Sequence, residues 1–192
     1  MFSFPNTMKQ IQEEELKFGN SELHKCVRLG DINSVMRELD NGADINQEHI
    51  IPNETPLMSA IKYKKIEVLK LLLGRPEIDI NKGNARGETA LMLAADEKWL
   101  PGVKELLAHQ DINVNKQSKI GDYSWGNTAL IEAIQYGFRT HDSNSKMIIH
   151  LLLNHPQIDV SISNGYNCTA VDYCNQQKPV LDLDKIKSGD FS

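Results

Sequence analysis

NETPLMSAIKYKKIEVLKLLLGRPEIDIN, residues 53–81, lies over GETALMLAADEKWLPGVKELLAHQDINVN, residues 87–115, when the chain is shifted on itself by 34 positions. Thr55 then falls on Thr89, Leu57 on Leu91, Ala60 on Ala94, Leu72 on Leu106, Leu73 on Leu107, Ile80 on Val114 and Asn81 on Asn115. Self-similarity at a period of about 20 to 50 residues marks stacked supersecondary units, none of which can bury its apolar face alone. Each copy holds a short helix signal, a turn, a longer helix signal and a polar connection. Thr55 and Thr89 sit where an N-cap side chain accepts a backbone hydrogen bond, and Pro56 follows at the position whose missing N–H is not needed. Leu71, Leu72 and Leu73 supply core, whereas IDIN and INVN are too short and too polar to be helices and turn the chain into the next copy.

Further copies flank these two. SELHKCVRLGDINSVMRELDNGADIN (21–46) carries His24, the turn glycine Gly30 and a closing GADIN, with Ser21 and Glu22 where the second copy has Thr55 and Pro56. GNTALIEAIQYG (126–137) and MIIHLLLNHPQIDV (147–160) supply two more helices, and NGYNCTAVDYC (164–174) begins a partial fifth copy. The joint pattern resembles the ankyrin repeat, whose period is about 33 and whose core signature is close to T-P-L-H-x-A. The resemblance implies an all-α repeat solenoid of about four repeats and a partial fifth. These lie near 20–46, 53–81, 87–115, 126–160 and 164–176, within one domain spanning 20–176.

Departures from the pattern are as informative as the matches. Met58, Met92 and Ile131 replace the motif histidine, so packing is expected to carry what a polar network carries elsewhere in the family. From Thr89 to Thr128 is 39 residues, which puts five extra in the loop KQSKIGDYSWGN; from Thr128 to Thr169 is 41, which puts seven extra around FRTHDSNS. Loops tolerate insertions and carry function, so the fourth copy is where features particular to this chain are expected. TMKQIQEEELKF, within residues 1–19, is spaced as a capping helix, with Thr7 and Gln10 as a capping box and Met8, Ile11, Leu16 and Phe18 to cover the first copy. Residues 177–192, with Pro179 and VLDLDKIK, read as a C-terminal cap and tail.

The chain has 192 residues, 40% of them hydrophobic, and a formal net charge of −5. It is long enough for one domain with a substantial core. Lys and Arg are not clustered as a nucleic-acid footprint requires, and no apolar run approaches the roughly 20 residues that span a bilayer. MFSFPNTMKQ lacks the layout of a secretory signal, and the odd cysteines Cys26, Cys168 and Cys174 make no disulfide framework. A cytoplasmic, reducing compartment and a monomer when free are therefore expected, with neither nucleic acid nor membrane as partner. The repeat dialect of GRPEIDIN and NHPQIDV is similar to repeats of intracellular bacteria, protists and large viruses. That resemblance implies a host cytosol as the alternative location and a secreted effector as the alternative role.

No catalytic constellation emerges. His150 and His155 are five apart and Pro156 ends their helix, Cys168 and Cys174 are poorly spaced for zinc, and Cys26 falls at a small core position. Neither metal, cofactor nor catalytic site is assigned. What the resemblance implies instead is a protein–protein interaction module, whose concave groove and hairpin tips grip a partner as adaptor, inhibitor or effector. Carried over position by position, the groove residues are Lys62, Tyr63 and Lys64; Asp96, Glu97, Lys98 and Trp99; and Gln135 and Tyr136. The hairpin tips add Glu48 and His49, Arg86 and Glu88, and Tyr123 and Trp125. Trp99 and Tyr136 can equally cover the turn between helices, and Trp125 can pin its own loop. The alternative function is a small enzyme or ligand-binding protein, with a pocket built by Tyr123, Trp125, Arg139, His141 and Asp142. The hairpin segments DIN (44–46 and 79–81) and NVN (113–115) also resemble asparagine-hydroxylase targets of the family.

Overall fold

A computed structural model describes residues 21–49, 53–121, 124–137, 143–176 and 188. Both proposed caps, residues 1–19 and nearly all of 177–192, lie outside the described residues. Helices come in pairs: α1 (Glu22–Leu29) with α2 (Ile32–Asp40), α3 (Pro56–Lys62) with α4 (Ile66–Leu73), α5 (Ala90–Asp96) with α6 (Leu100–Leu107), and α7 (Ala129–Gly137) with α8 (Ser143–Leu153). A further helix, α9 (Ala170–Gln176), follows. The first helix of each pair packs on the first helix of the next, α1 on α3, α3 on α5, α5 on α7 and α7 on α9. The second helices α2, α4, α6 and α8 form a parallel outer row, which makes the architecture an all-α repeat solenoid.

Local chemistry sets each unit. Thr55, Thr89 and Thr128 Oγ1 accept from the amides of Met58, Met92 and Ile131 at 3.3 Å, so the predicted caps form. Two residues before each cap the backbone turns left-handed, at Asn53, Gly87, Gly126 and Asn167. Glycine or asparagine occupies this place in each of these copies, the residues that a positive φ favours. The turn inside each of the first three pairs is left-handed too, at Gly30, Lys64 and Lys98, which are spaced by the repeat offset.

The core is one continuous apolar column. Leu57, Ala60, Ile61, Leu69 and Leu72 of the second copy continue into Leu91, Ala94, Val103 and Leu106 of the third, and then into Leu130, Ile134, Ile148 and Leu152. Met58, Met92 and Ile131 are buried in it where the motif histidine would stand, while His24 keeps a contact to the next copy, its Nε2 pairing with the Glu54 carbonyl at 3.0 Å. Cys26 and Cys174 are core residues as well, with burial pushing the Cys174 thiol up to about 12.

Hydrogen bonding between units runs along the opposite edge. Asn46 Nδ2 donates to the Glu77 carbonyl (2.7 Å) while its Oδ1 accepts from Asp79 N (2.8 Å). Asn81 repeats this with Asp111 and Asn113, and Asn115 repeats it with Gln157 and Asp159. Lys82 and Lys116 reach back one unit, to the carbonyls of Asn46 (2.8 Å) and Asn81 (2.6 Å). The asparagines that end IDIN and INVN are thus both donor and acceptor across each junction.

Candidate functional site

The five-residue insertion of the fourth copy is a finger. Ser118 N donates to the Asn127 carbonyl (2.9 Å) as Asn84 N donates to that of Glu88 (2.9 Å), so Ser118, Lys119, Trp125, Gly126 and Asn127 occupy the hairpin positions of Asn84 to Glu88. Residues 120–124 are the additional ones. They extend the hairpin into two short antiparallel strands, β1 (Ile120–Gly121) and β2 (Ser124–Trp125), with Ile120 opposite Trp125. The turn itself, with Tyr123, lies outside the described residues.

Neighbouring hairpins clamp this finger at its base. Lys119 N donates to the Arg86 carbonyl (2.8 Å), and Gly165 N donates to the Trp125 carbonyl (2.7 Å). Gln117 Nε2 donates to the carbonyls of Gly126 (2.7 Å) and Ser163 (2.8 Å). Arg86, Trp125 and Tyr166 hold the same place, three residues before the cap threonine, so the hairpins bring them into one row. The Trp125 and Tyr166 rings stack with centroids 4.8 Å apart and planes at 29°. Ile120 lies over Gly126 and Gly165, where a Cβ would meet it at 2.9 and 3.2 Å. Despite these contacts Ile120 is 75% exposed, Tyr166 56% and Trp125 40%.

Below the row, a buried amide network joins the finger to the helices. Asn127, fully buried, donates from Nδ2 to Glu132 Oε1 (3.0 Å) and Gln135 Oε1 (2.9 Å) and accepts at Oδ1 from Asn164 Nδ2 (2.8 Å). Asn164 Nδ2 also donates to Tyr173 Oη (3.0 Å), and its Oδ1 accepts from the amides of Tyr166 and Cys168. Every polar atom of both buried amides is satisfied, which removes the penalty of burying them. Burial pushes the Glu132 carboxyl up to about 7, against the pull of the Asn127 hydrogen bond, and the negative charges of Asp96 and Glu88 add to the rise. Asp96 reaches solvent yet is raised too, by partial desolvation first and then by Glu97 and Glu88.

The remaining sequence candidates are distributed along the stack. Glu48 and Lys62 are exposed and hold ion pairs, with Lys82 (3.4 Å) and with Glu54 (2.8 Å). His49 is half-buried and meets the His24 ring edge-on at 5.3 Å. Tyr63 is 42% exposed at the end of α3, Arg86 pairs with Glu88 at 3.0 Å, and Glu97 is half-buried. Gln135 is drawn into the amide network. Trp99 is a correction: it is only 8% exposed, and its ring lies so close over Gly102 that a Cβ there would fall 2.2 Å from Cε3. It covers the turn between α5 and α6, the other role the sequence allows it, and leaves little surface for a partner. The side chain of Tyr136, together with Arg139, His141 and Asp142, lies outside the described residues.

Ile120 and Tyr166 complete the exposed row and were missed in the sequence. Tyr166 had a legible signal, since it stands three residues before Thr169 as Trp125 stands before Thr128. Among the described residues no group of three or more His, Cys, Asp or Glu is placed to hold a metal ion. No described helix is long and apolar enough to cross a membrane.

A family model of ankyrin repeats, in three copies, matches residues 23–118 and again 77–164. The chain belongs to the ankyrin-repeat family. Ankyrin repeats are generally non-catalytic protein–protein interaction modules. No curated protein matches this ankyrin chain closely enough to lend it a partner.

Proposed function

We propose that this ankyrin stack binds a partner protein through the hairpin row and the adjoining groove, and that it acts by occupying the partner's surface. The observation that carries the reading is the exposure of Ile120 and Trp125 on a finger whose backbone is tied to the hairpins on both sides, with Tyr166 of the next hairpin exposed and stacked on Trp125. Large aromatic groups held in advance of binding lose little entropy on association, and such groups dominate interface energetics. Tyr63, exposed at the end of α3, is the corresponding groove-side anchor.

The pocket-forming alternative has less support. The first insertion precedes the N-terminus of α7 and the second follows its C-terminus. A helix of nine residues separates those two roots by about 13 Å. Affinity capture tests the reading, with wild type beside Tyr63→Ala and Trp125→Ala proteins of equal helicity. A stoichiometric protein retained by the wild type and lost from either variant is the expected result. Identical capture by all three removes the assignment of both anchors.

A further inference from the structure

Resting on the protein-binding reading, the chemistry of the finger narrows the kind of segment it takes. Its apolar row faces solvent, yet two of the cations on this side, Lys119 and Lys116, hold no ion pair among the described residues. Lys119 crosses Gly87, its Cγ at 2.9 Å from where a Cβ would stand, and its Nζ donates to the Ala85 carbonyl at 3.0 Å. Lys116, farther down the same hairpin, donates to the Asn81 carbonyl at 2.6 Å. Both ammonium groups therefore rest on neutral carbonyl oxygens, with no carboxylate within ion-pair distance among the described residues. Arg86 is offset by Glu88 at 3.0 Å. The described end of the row thus carries positive charge next to an aliphatic side chain and two stacked rings, in a chain whose net charge is −5. That local reversal of sign disfavours a second copy of this chain and favours an acidic occupant.

We propose that Ile120, Trp125 and Tyr166, with Lys119 and Lys116 beside them, seat an extended segment of a partner protein that carries an aliphatic or aromatic anchor next to Asp or Glu. The apolar anchor covers Ile120 and the outer face of the aromatic stack. The carboxylates meet the two lysines, which exchange or share their carbonyl contacts. An extended segment fits because the row follows successive hairpins rather than a pit.

Selection of random dodecapeptides displayed on phage, using the full chain as bait, tests this directly. Enriched peptides are expected to pair Asp or Glu with a large apolar residue. As synthetic fluorescent peptides they should lose about tenfold or more in affinity on Trp125→Ala or Tyr166→Ala. Lys119→Glu should weaken them most at low salt, since screening removes that contribution at higher ionic strength. Both rings are exposed, so these variants retain the fold, and circular dichroism verifies it. Peptides rich in Lys or Arg, enrichment that survives Trp125→Ala, or no enrichment at all would each overturn the proposal. Enrichment that survives Trp125→Ala but is lost on Tyr63→Ala would overturn it while leaving a groove-binding protein module intact. A fluorescent single-stranded 20-mer of thymidines that competes with the peptides for the same rings would overturn it in favour of base stacking.

Discussion

The second and third copies superimpose in their dimensions, with first helices of seven residues and second helices of eight. The fourth copy keeps the same buried positions but has helices of nine and eleven residues and a hairpin lengthened by the finger. Of its seven additional residues, two lengthen α7 and three begin α8; the other two fall in 138–142, outside the described residues. The extension of α8 is not idle helix, because Ser145 starts a buried face that runs through Ile148, Ile149 and Leu152. The described part of the insertions thus falls at helix ends and at a hairpin, and the first helices still stack pair on pair. All copies share the buried column, and the irregular one adds an exposed apolar finger to it, a difference that substitutions can test.

The largest expected effect lies in a regular copy. Leu106, wholly buried in α6, should lose about 2–5 kcal/mol of stability on Leu106→Ala, read as a lower urea midpoint. A loss no greater than that of an exposed position would mean that the third copy is not central to the stack.

Next in size is a charge set by the fourth copy. Folding raises the Glu132 carboxyl from 4.5 to about 7, so the folded state holds its proton more tightly than the unfolded chain. Stability tied to this group is full below about pH 4.5 and is lost as pH rises through 7. Glu132→Gln keeps an oxygen for Asn127 and removes the titration. It should match wild type near pH 4.5 and exceed it by on the order of 2 kcal/mol at pH 8. Parallel stability profiles for the two proteins across that interval would rule out a desolvated Glu132.

A smaller effect tests the junctions. Asn81→Ala removes one donated and one accepted hydrogen bond between the second and third copies, 2.7 and 2.8 Å long. About 1–2 kcal/mol should be lost. Because a solenoid's cooperativity depends on nearest-neighbour interfaces, the unfolding transition should also broaden. An unchanged transition would assign the coupling to apolar contacts alone.

The scaffold was legible because its chemistry repeats. Cap threonines, the offset of 34 and the aliphatic face of each helix follow from propensity and burial, and they fixed the all-α stack. The site was legible in part. Trp125 stands on a hairpin tip by its spacing alone, but the sequence leaves Trp99 open between groove anchor and cover of the turn, and only the ring's place over Gly102 separates the two. The amide network was opaque for a different reason. Asn127 stands where the second and third copies carry Glu54 and Glu88, and only the fold brings Asn164 beside it from 37 positions away. The asparagine ladder was hidden likewise, since its partners are backbone groups one unit along, to which side-chain patterns give no clue.

The smallest expected change in stability comes from the most drastic edit of the irregular copy. Deleting residues 120–124 joins Lys119 to Trp125 and restores the hairpin spacing of Asn84 to Glu88. The retained Ser118–Asn127 pairing and the left-handed glycine at 126 already match their counterparts in the third copy, so the shortened loop closes without new strain. Loop-closure entropy changes only slowly with length, and Ile120 buries little surface, so unfolding free energy should move by less than about 1 kcal/mol. Trp125 would remain, but without Ile120 beside it and without the strand that sets its height above the hairpin. Stability kept and partner capture lost would separate scaffold from recognition within one unit. A loss of several kcal/mol would instead make the finger part of the fold, by way of its hold on Gly165 and the last helix.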